Sequence, residues 1–188
     1  MATVRSGDKM ALMVVDVQAG VMQECANAAQ TIANVARTVE RARAAQVPVI
    51  WVQHESDELK RDSDAWQWVP ALVPAAGEAR VYKQFNSSFE QTNTDELLAQ
   101  AGVSHIVLAG AQSNWCIRAT AYGALERGYD LTLVKDAHTT SDLDLGNGTR
   151  IDAATIVRDL NVTMKWLQYP GRRNAVAAAE EVVFGATG

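Results

Sequence analysis

Short apolar runs rich in β-branched residues recur along almost the whole chain, and segments of helical character fill the gaps between them. That alternation is the signature of βαβ units and restricts the chain to an α/β architecture around a mostly parallel sheet. The runs predict strands at Ala11–Val17, Val49–Gln53, Arg80–Lys83, His105–Ala109, Leu131–Lys135 and Val162–Lys165. Helices are expected over Asn27–Gln46, Thr94–Gln100, Asn114–Arg127 and Arg150–Leu160, with a last one near Asn174–Glu181. Pro48 follows the first helix, and Gly102 and Gly128 stand where elements should end, as helix C-caps require. About six strands with helices on both faces make a three-layer α/β/α fold.

With 188 residues, 48% of them hydrophobic and 21% charged, the chain is expected to form one domain over residues 1–188. A net charge of -5 without basic runs leaves no electrostatic footprint for nucleic acid or an anionic membrane, so a small molecule is the expected partner. Arg5 and Lys9 precede an apolar stretch, Met10–Val15, but it is short and stops at Asp16, so it is read as a buried strand rather than a leader. No run reaches the roughly 18 apolar residues of a membrane helix. Two cysteines, Cys25 and Cys116, without CxxC spacing, suggest neither a disulfide framework nor a thiolate zinc site, and point to a reducing, cytoplasmic setting. Glu55–Glu78, with Trp66, Trp68, Pro70 and Pro74 among dense charge, is longer than a usual connection and is a candidate binding loop or lid. Gly146-Asn147-Gly148 lacks the lysine of a phosphate loop and is read as a turn.

In open α/β sheets, ligands sit at the carboxyl ends of the strands, which directs attention to the residues where each apolar run stops. Cys116 follows the fourth strand by a short turn and falls in the first turn of a helix. There the dipole is expected to lower the thiol pKa and the residue's own N–H is free to bind an oxyanion. A free cysteine is more often a small buried hydrophobe, so this position gains meaning only from its company. Asp16 ends the run Met10-Ala-Leu-Met-Val-Val, where an unpaired buried carboxylate is costly and needs a partner. It can cap the following turn, or act as the base that takes a thiol proton and returns it to a leaving nitrogen. Lys83 closes Ala79-Arg-Val-Tyr; beside Asp16 and Cys116 it would hold the carboxylate ionised and favour the thiolate.

The ordered set of motifs resembles the isochorismatase-like cysteine hydrolases, relatives of nicotinamidases, N-carbamoylsarcosine amidases and ureidoacrylate hydrolases. It comprises Leu12-Met-Val-Val-Asp16-Val-Gln18, Val47-Pro-Val-Ile-Trp-Val-Gln-His54, Lys83-Gln-Phe-Asn-Ser87-Ser-Phe89, Leu108-Ala-Gly110-Ala-Gln-Ser-Asn-Trp-Cys116-Ile-Arg-Ala-Thr120-Ala121 and Asp136-Ala137-His138. The resemblance spans Met10 to about Asn161 and implies a Rossmann-like fold, a catalytic triad of Asp16, Lys83 and Cys116, and a non-proline cis bond at Ala111–Gln112. That bond would direct the N–H of Gln112 to an oxyanion beside that of Cys116. Gln18, His54, Trp66, Phe85, Trp115 and His138 are candidate substrate contacts; for either histidine a purely structural role is the alternative. Cys25 is expected to be packed rather than reactive.

The expected reaction is hydrolysis of a C–N bond in a small amide, ureide or lactam through a thioester, without a cofactor. The Asp-x-His metal motif of nicotinamidases is broken at Val52-Gln53-His54, and no second histidine precedes His105, so no metal site is expected. Isochorismatase proper lacks the nucleophilic cysteine, so Cys116 argues for C–N rather than ether cleavage. An ether hydrolase and a non-catalytic thiol sensor or binding protein are the alternatives. The resemblance further implies a homodimer or homotetramer.

Overall fold

The computed structural model describes residues 3–185. Six strands, β1 (Lys9–Val15), β2 (Val49–His54), β3 (Ala79–Lys83), β4 (Val103–Ala111), β5 (Asp130–Thr139) and β8 (Asn174–Ala177), form one sheet in the order β3-β2-β1-β4-β5-β8. Every pairing in it is parallel. A short hairpin of β6 (Leu143–Asp144) and β7 (Arg150–Ile151) stands apart. The helices are α1 (Ala19–Gln23), α2 (Ala28–Ala44), α3 (Thr94–Gln100), α4 (Arg118–Glu126) and α5 (Ala153–Trp166), with one π-helical turn, Ser113–Ile117, leading into α4. Among the described residues no helix is long and apolar enough to cross a membrane.

A parallel sheet buries both faces, so its strands are apolar throughout rather than alternating. β1 follows this rule: Met10 to Val15 are all buried, with Ala11, Met13 and Val15 on one face and Met10, Leu12 and Val14 on the other. The first face packs against α3, α4 and α5 through Leu98, Ala121, Leu125, Leu160 and Met164. The second is covered by α2, through Val35, Val39 and Ala42, and by the C-terminal Ala179 and Val182. The strand order reverses between β1 and β4, the place where such sheets open a crevice beyond their carboxyl ends.

The structure corrects three elements. Val162–Lys165 is not a strand but the last part of α5. Asp152 caps that helix by accepting from the Thr155 N–H at 2.8 Å, and Ala153, Ile156, Leu160 and Met164 lay a buried stripe at helical spacing. Because Arg150–Ile151 belongs to β7, the helix starts at Ala153 rather than Arg150. The expected helix at Asn174–Glu181 begins instead as β8, pairing Asn174 to Ala177 with Leu131 to Val134. Gly146-Asn147-Gly148 forms the tip between β6 and β7, where the Asp144 and Asn147 side chains accept from the backbone N–H groups of Gly146 and Thr149.

Candidate active site

The carboxyl ends of four neighbouring strands bring together Asp16 after β1, His54 ending β2, Lys83 ending β3 and Cys116 in the turn after β4. Register fixes the arrangement: Val15 lies between Val52 and Gly110, and His54 pairs with Lys83. Gly110 permits β1 and β4 to close, since a Cβ there would lie 2.0 Å from the Val15 carbonyl oxygen, and its φ of 131° is left-handed. The Ala111–Gln112 peptide that follows is cis. The Gln112 carbonyl then accepts from the N–H groups of Trp115 and Ile117, both at 3.1 Å, which fixes the turn carrying Cys116. On the other side, Ser88 and Thr120 join the loop after Lys83 to α4, their hydroxyls 2.9 Å apart.

The Lys83 ammonium is the centre of the cluster. It lies 2.6 Å from Asp16 Oδ2 and donates to Cys116 Sγ at 3.2 Å. His54 Nδ1 is also 3.2 Å away, and because an ammonium has no lone pair, that nitrogen is the acceptor and the ring proton is on Nε2. Asp16, His54 and Cys116 each present a metal-ligand type of atom, all within 4.8 Å of one another. The ammonium already satisfies that convergence of lone pairs, so the donor set is arranged around an internal cation.

Burial governs the titration of the group. Asp16 is 1% and Lys83 2% exposed. Desolvation works against the charged form of Lys83, but the Asp16 carboxylate and the Cys116 sulfur outweigh it and hold its pKa above the usual value. His54 is lowered by burial and by the Lys83 charge, against the pull of Asp16, which suits its role as a neutral acceptor. Burial, reinforced by the Asp16 carboxylate and only partly opposed by Lys83, pushes the Cys116 thiol up to about 12. This reverses the expectation of a lowered thiol pKa: Cys116 sits in a π-helical turn among low-dielectric neighbours, and desolvation there exceeds the dipole of a short helix.

Asp16, His54, Cys116, Gln112 and Trp115 border one cavity of about 560 Å³. A larger one, about 760 Å³, lies between α2 and α5 beyond β5 and contains none of the cluster. Of the expected substrate contacts, His54 and Trp115 line the Cys116 cavity, and Trp115 is 49% exposed. The other four lie elsewhere. Gln18 is fully buried and clamps the end of β2, its amide donating to the His54 and Trp66 carbonyls and accepting from the His54 N–H. Trp66 is buried against Tyr82, ring centroids 5.8 Å apart, and contributes its carbonyl to Gln18 and Gln53. Phe85 is 46% exposed and borders two other cavities, of about 590 and 310 Å³, with Glu55 and Arg61. His138 is buried between Ser113 Oγ, at 2.8 Å, and Asn161 Oδ1, at 3.0 Å.

Cys25 is packed as expected, its thiol donating to the Val21 carbonyl at 3.2 Å and raised to about 11 by burial. Three further residues reach the site: Asn86, whose Oδ1 lies 3.9 Å from Cys116 Sγ, and Glu24 and Glu58, which border the cavity. Asn86 had a signal in its place three residues past the Lys83 strand end. The glutamates sit in α1's end and in a loop, where spacing carries none.

The fold, with its crevice at the strand-order reversal, has known relatives. The isochorismatase domain family model matches residues 10–156, and the chain belongs to that family. It is 33% identical over 144 residues to a streptothricin hydrolase of Streptomyces noursei, covering 73% of this chain and 57% of that protein. A secreted isochorismatase effector of Verticillium dahliae is 32% identical over 129 residues, covering 66% of this chain and 65% of the effector. The chain thus spans between about half and two thirds of the length of these relatives. An isochorismatase structure from Pseudomonas putida KT2440 superposes with a TM-score of 0.83 at 27% identity, covering 93% of this chain and 90% of that one.

Proposed function

We propose that this chain is a hydrolase that cleaves a C–N bond of a small amide, ureide or lactam, with Cys116 as nucleophile. The observation that carries the reading is the Lys83 ammonium in simultaneous contact with Asp16, at 2.6 Å, and Cys116 Sγ, at 3.2 Å, at the base of a cavity. A thiol held near 12 does not ionise alone at neutral pH, so its deprotonation is coupled to attack. Asp16 takes the Sγ proton as sulfur bonds to the carbonyl carbon, and the N–H groups of Gln112 and Cys116 receive the oxyanion. The protonated Asp16 gives that proton to the departing nitrogen as the C–N bond breaks, leaving a thioester. Water, deprotonated by Asp16, attacks the thioester, and the proton returns to sulfur as the acid leaves. Lys83 keeps the negative charge tolerable throughout, whether it sits on Asp16 or on sulfur.

The name of the Streptomyces noursei relative, a hydrolase, supports this reading without defining a substrate. Intact-protein mass spectrometry of wild type and Cys116→Ser, during exposure to small amides, ureides and lactams with ammonia followed in parallel, tests it. An acyl adduct on Cys116 accompanied by turnover is expected. Amide turnover retained in Cys116→Ala would remove Cys116 as the nucleophile, and cleavage of a vinyl ether by that variant would assign the chain to the ether-cleaving type of chemistry.

A further inference from the structure

Resting on the reading of Cys116 as nucleophile, we propose that the substrate carries a cationic group, a protonated amine or guanidinium, which Glu24, Glu58 and the face of Trp115 hold at the mouth of the cavity. The charges around the cavity add up one way. Asp16 and Lys83 neutralise each other, His54 is a neutral imidazole and Cys116 a neutral thiol. What remains is Glu24 and Glu58, and among the described residues neither arginine nor lysine lines the space.

Among the described residues Glu24 and Glu58 form no ion pair, whereas Glu55, next to the cavity-lining His54, is paired with Arg61. Local stability does not explain Glu24 either, because it caps the C-terminus of α1, where the helix dipole disfavours a negative charge. Trp115, half-exposed on the same cavity, offers a ring face suited to a cation. Asp16 borders the same cavity; its Oδ1 is buried without a hydrogen bond, and its charge is met by Lys83 across Oδ2 at 2.6 Å. Carboxylate-bearing amides would meet only repulsion on this path.

Charge preference is measurable at Cys116 without any turnover, using matched thiol reagents: trimethylammonioethyl methanethiosulfonate and sulfonatoethyl methanethiosulfonate. Each rate is divided by that for free 2-mercaptoethanol, and peptide mass spectrometry confirms modification at Cys116 rather than Cys25. After this normalisation the cationic reagent should be favoured by about tenfold, with the preference shrinking in about 0.5 M salt. In Glu24→Gln/Glu58→Gln the two rates should come within about twofold of each other. Both positions are exposed, and an unchanged melting temperature will show that the variant is folded. A normalised ratio near one in the wild type, or one that the double variant leaves unmoved, overturns the proposal. Ammonia release should also be faster from 5-aminopentanamide than from pentanamide or the monoamide of glutaric acid; a preference for the monoamide overturns it as well. If the reagent preference holds but Cys116→Ser still hydrolyses amides, the cationic preference stands and the nucleophile assignment fails.

Discussion

Lys83 faces three acceptors at once, and the function of the site turns on how it divides its charge among them. Removing it leaves Asp16 buried without a counter-ion, which typically costs about 3–5 kcal/mol. Lys83→Ala is therefore expected to lower stability by that amount in urea unfolding and to slow hydrolysis at least about a hundredfold. A near-normal rate in a folded variant would remove Lys83 from the machinery. Asp16→Asn separates base from electrostatics. The carboxylate is one of the causes that raise the Cys116 thiol, so the neutral amide should lower the thiol pKa and speed alkylation by iodoacetamide near neutral pH. Hydrolysis should be lost in the same variant, because no group remains to carry the proton. A pH–rate profile of alkylation in both proteins checks this; slower alkylation in the variant would mean that Asp16 activates the resting thiol. The positions of Asp16 and Lys83 were legible in the sequence, since each interrupts or closes an apolar run at a strand end, and Cys116 follows such a run by one short turn. The thiol's raised pKa was not, because desolvation depends on which side chains pack around sulfur.

At the scale of elements, Cys116, the proposed nucleophile, is placed by the close approach of β1 and β4 and by the turn that follows. Gly110 is the hinge of that geometry: any Cβ would collide with backbone at Val15, which cannot swing aside as a side chain could. Gly110→Ala should destabilise by at least about 2 kcal/mol in chemical denaturation, with activity falling further than stability alone predicts. A variant as stable as wild type would mean that the two strands can part without consequence. The first five strands, β1 to β5, were readable from their apolar runs, whereas the sixth was misplaced for a physical reason. Val162 and Thr163 are β-branched, but the Asp152 cap and the stripe of Ala153, Ile156, Leu160 and Met164 win over local propensity. Asn174-Ala-Val-Ala has helix-forming alanines and becomes a strand because β5 presents an open edge to it, and because the Asn174 amide is held by the Leu167 carbonyl at 2.7 Å. Gln18, Trp66 and His138 have the chemistry of substrate contacts yet stabilise the frame, a distinction set by the direction of a side chain rather than by its place in the sequence.

For the molecule as a whole, all three histidines are held below their ordinary pKa, each chiefly by burial. His138 is the extreme case, lowered from 6.5 to about 4. The proton on Nε2 donates to Asn161 Oδ1, because the Asn161 amide group is committed to the Lys135 carbonyl at 3.0 Å, and Nδ1 accepts from the Ser113 hydroxyl. A second ring proton would face the Ser113 hydroxyl and displace its hydrogen atom, one residue from the cis peptide and three from Cys116. In the unfolded chain the histidine binds a proton once the pH falls below about 6.5, while the folded chain does not until about 4, so stability is full above 6.5 and drains away across that interval. For His138 alone the loss approaches about 3 kcal/mol at the acid end. The carboxylates lowered by their hydrogen bonds and ion pairs, such as Glu78 with Arg43, lose their contribution only below about 4.5, so most of the histidine interval is free of them. Urea midpoints measured between about pH 7 and about pH 5 should therefore fall in the wild type and fall less in His138→Gln, whose amide can replace both hydrogen bonds without titrating. Parallel declines in the two proteins would mean that His138 takes up its proton in the folded state, and that the Ser113 end of the nucleophile turn yields to it.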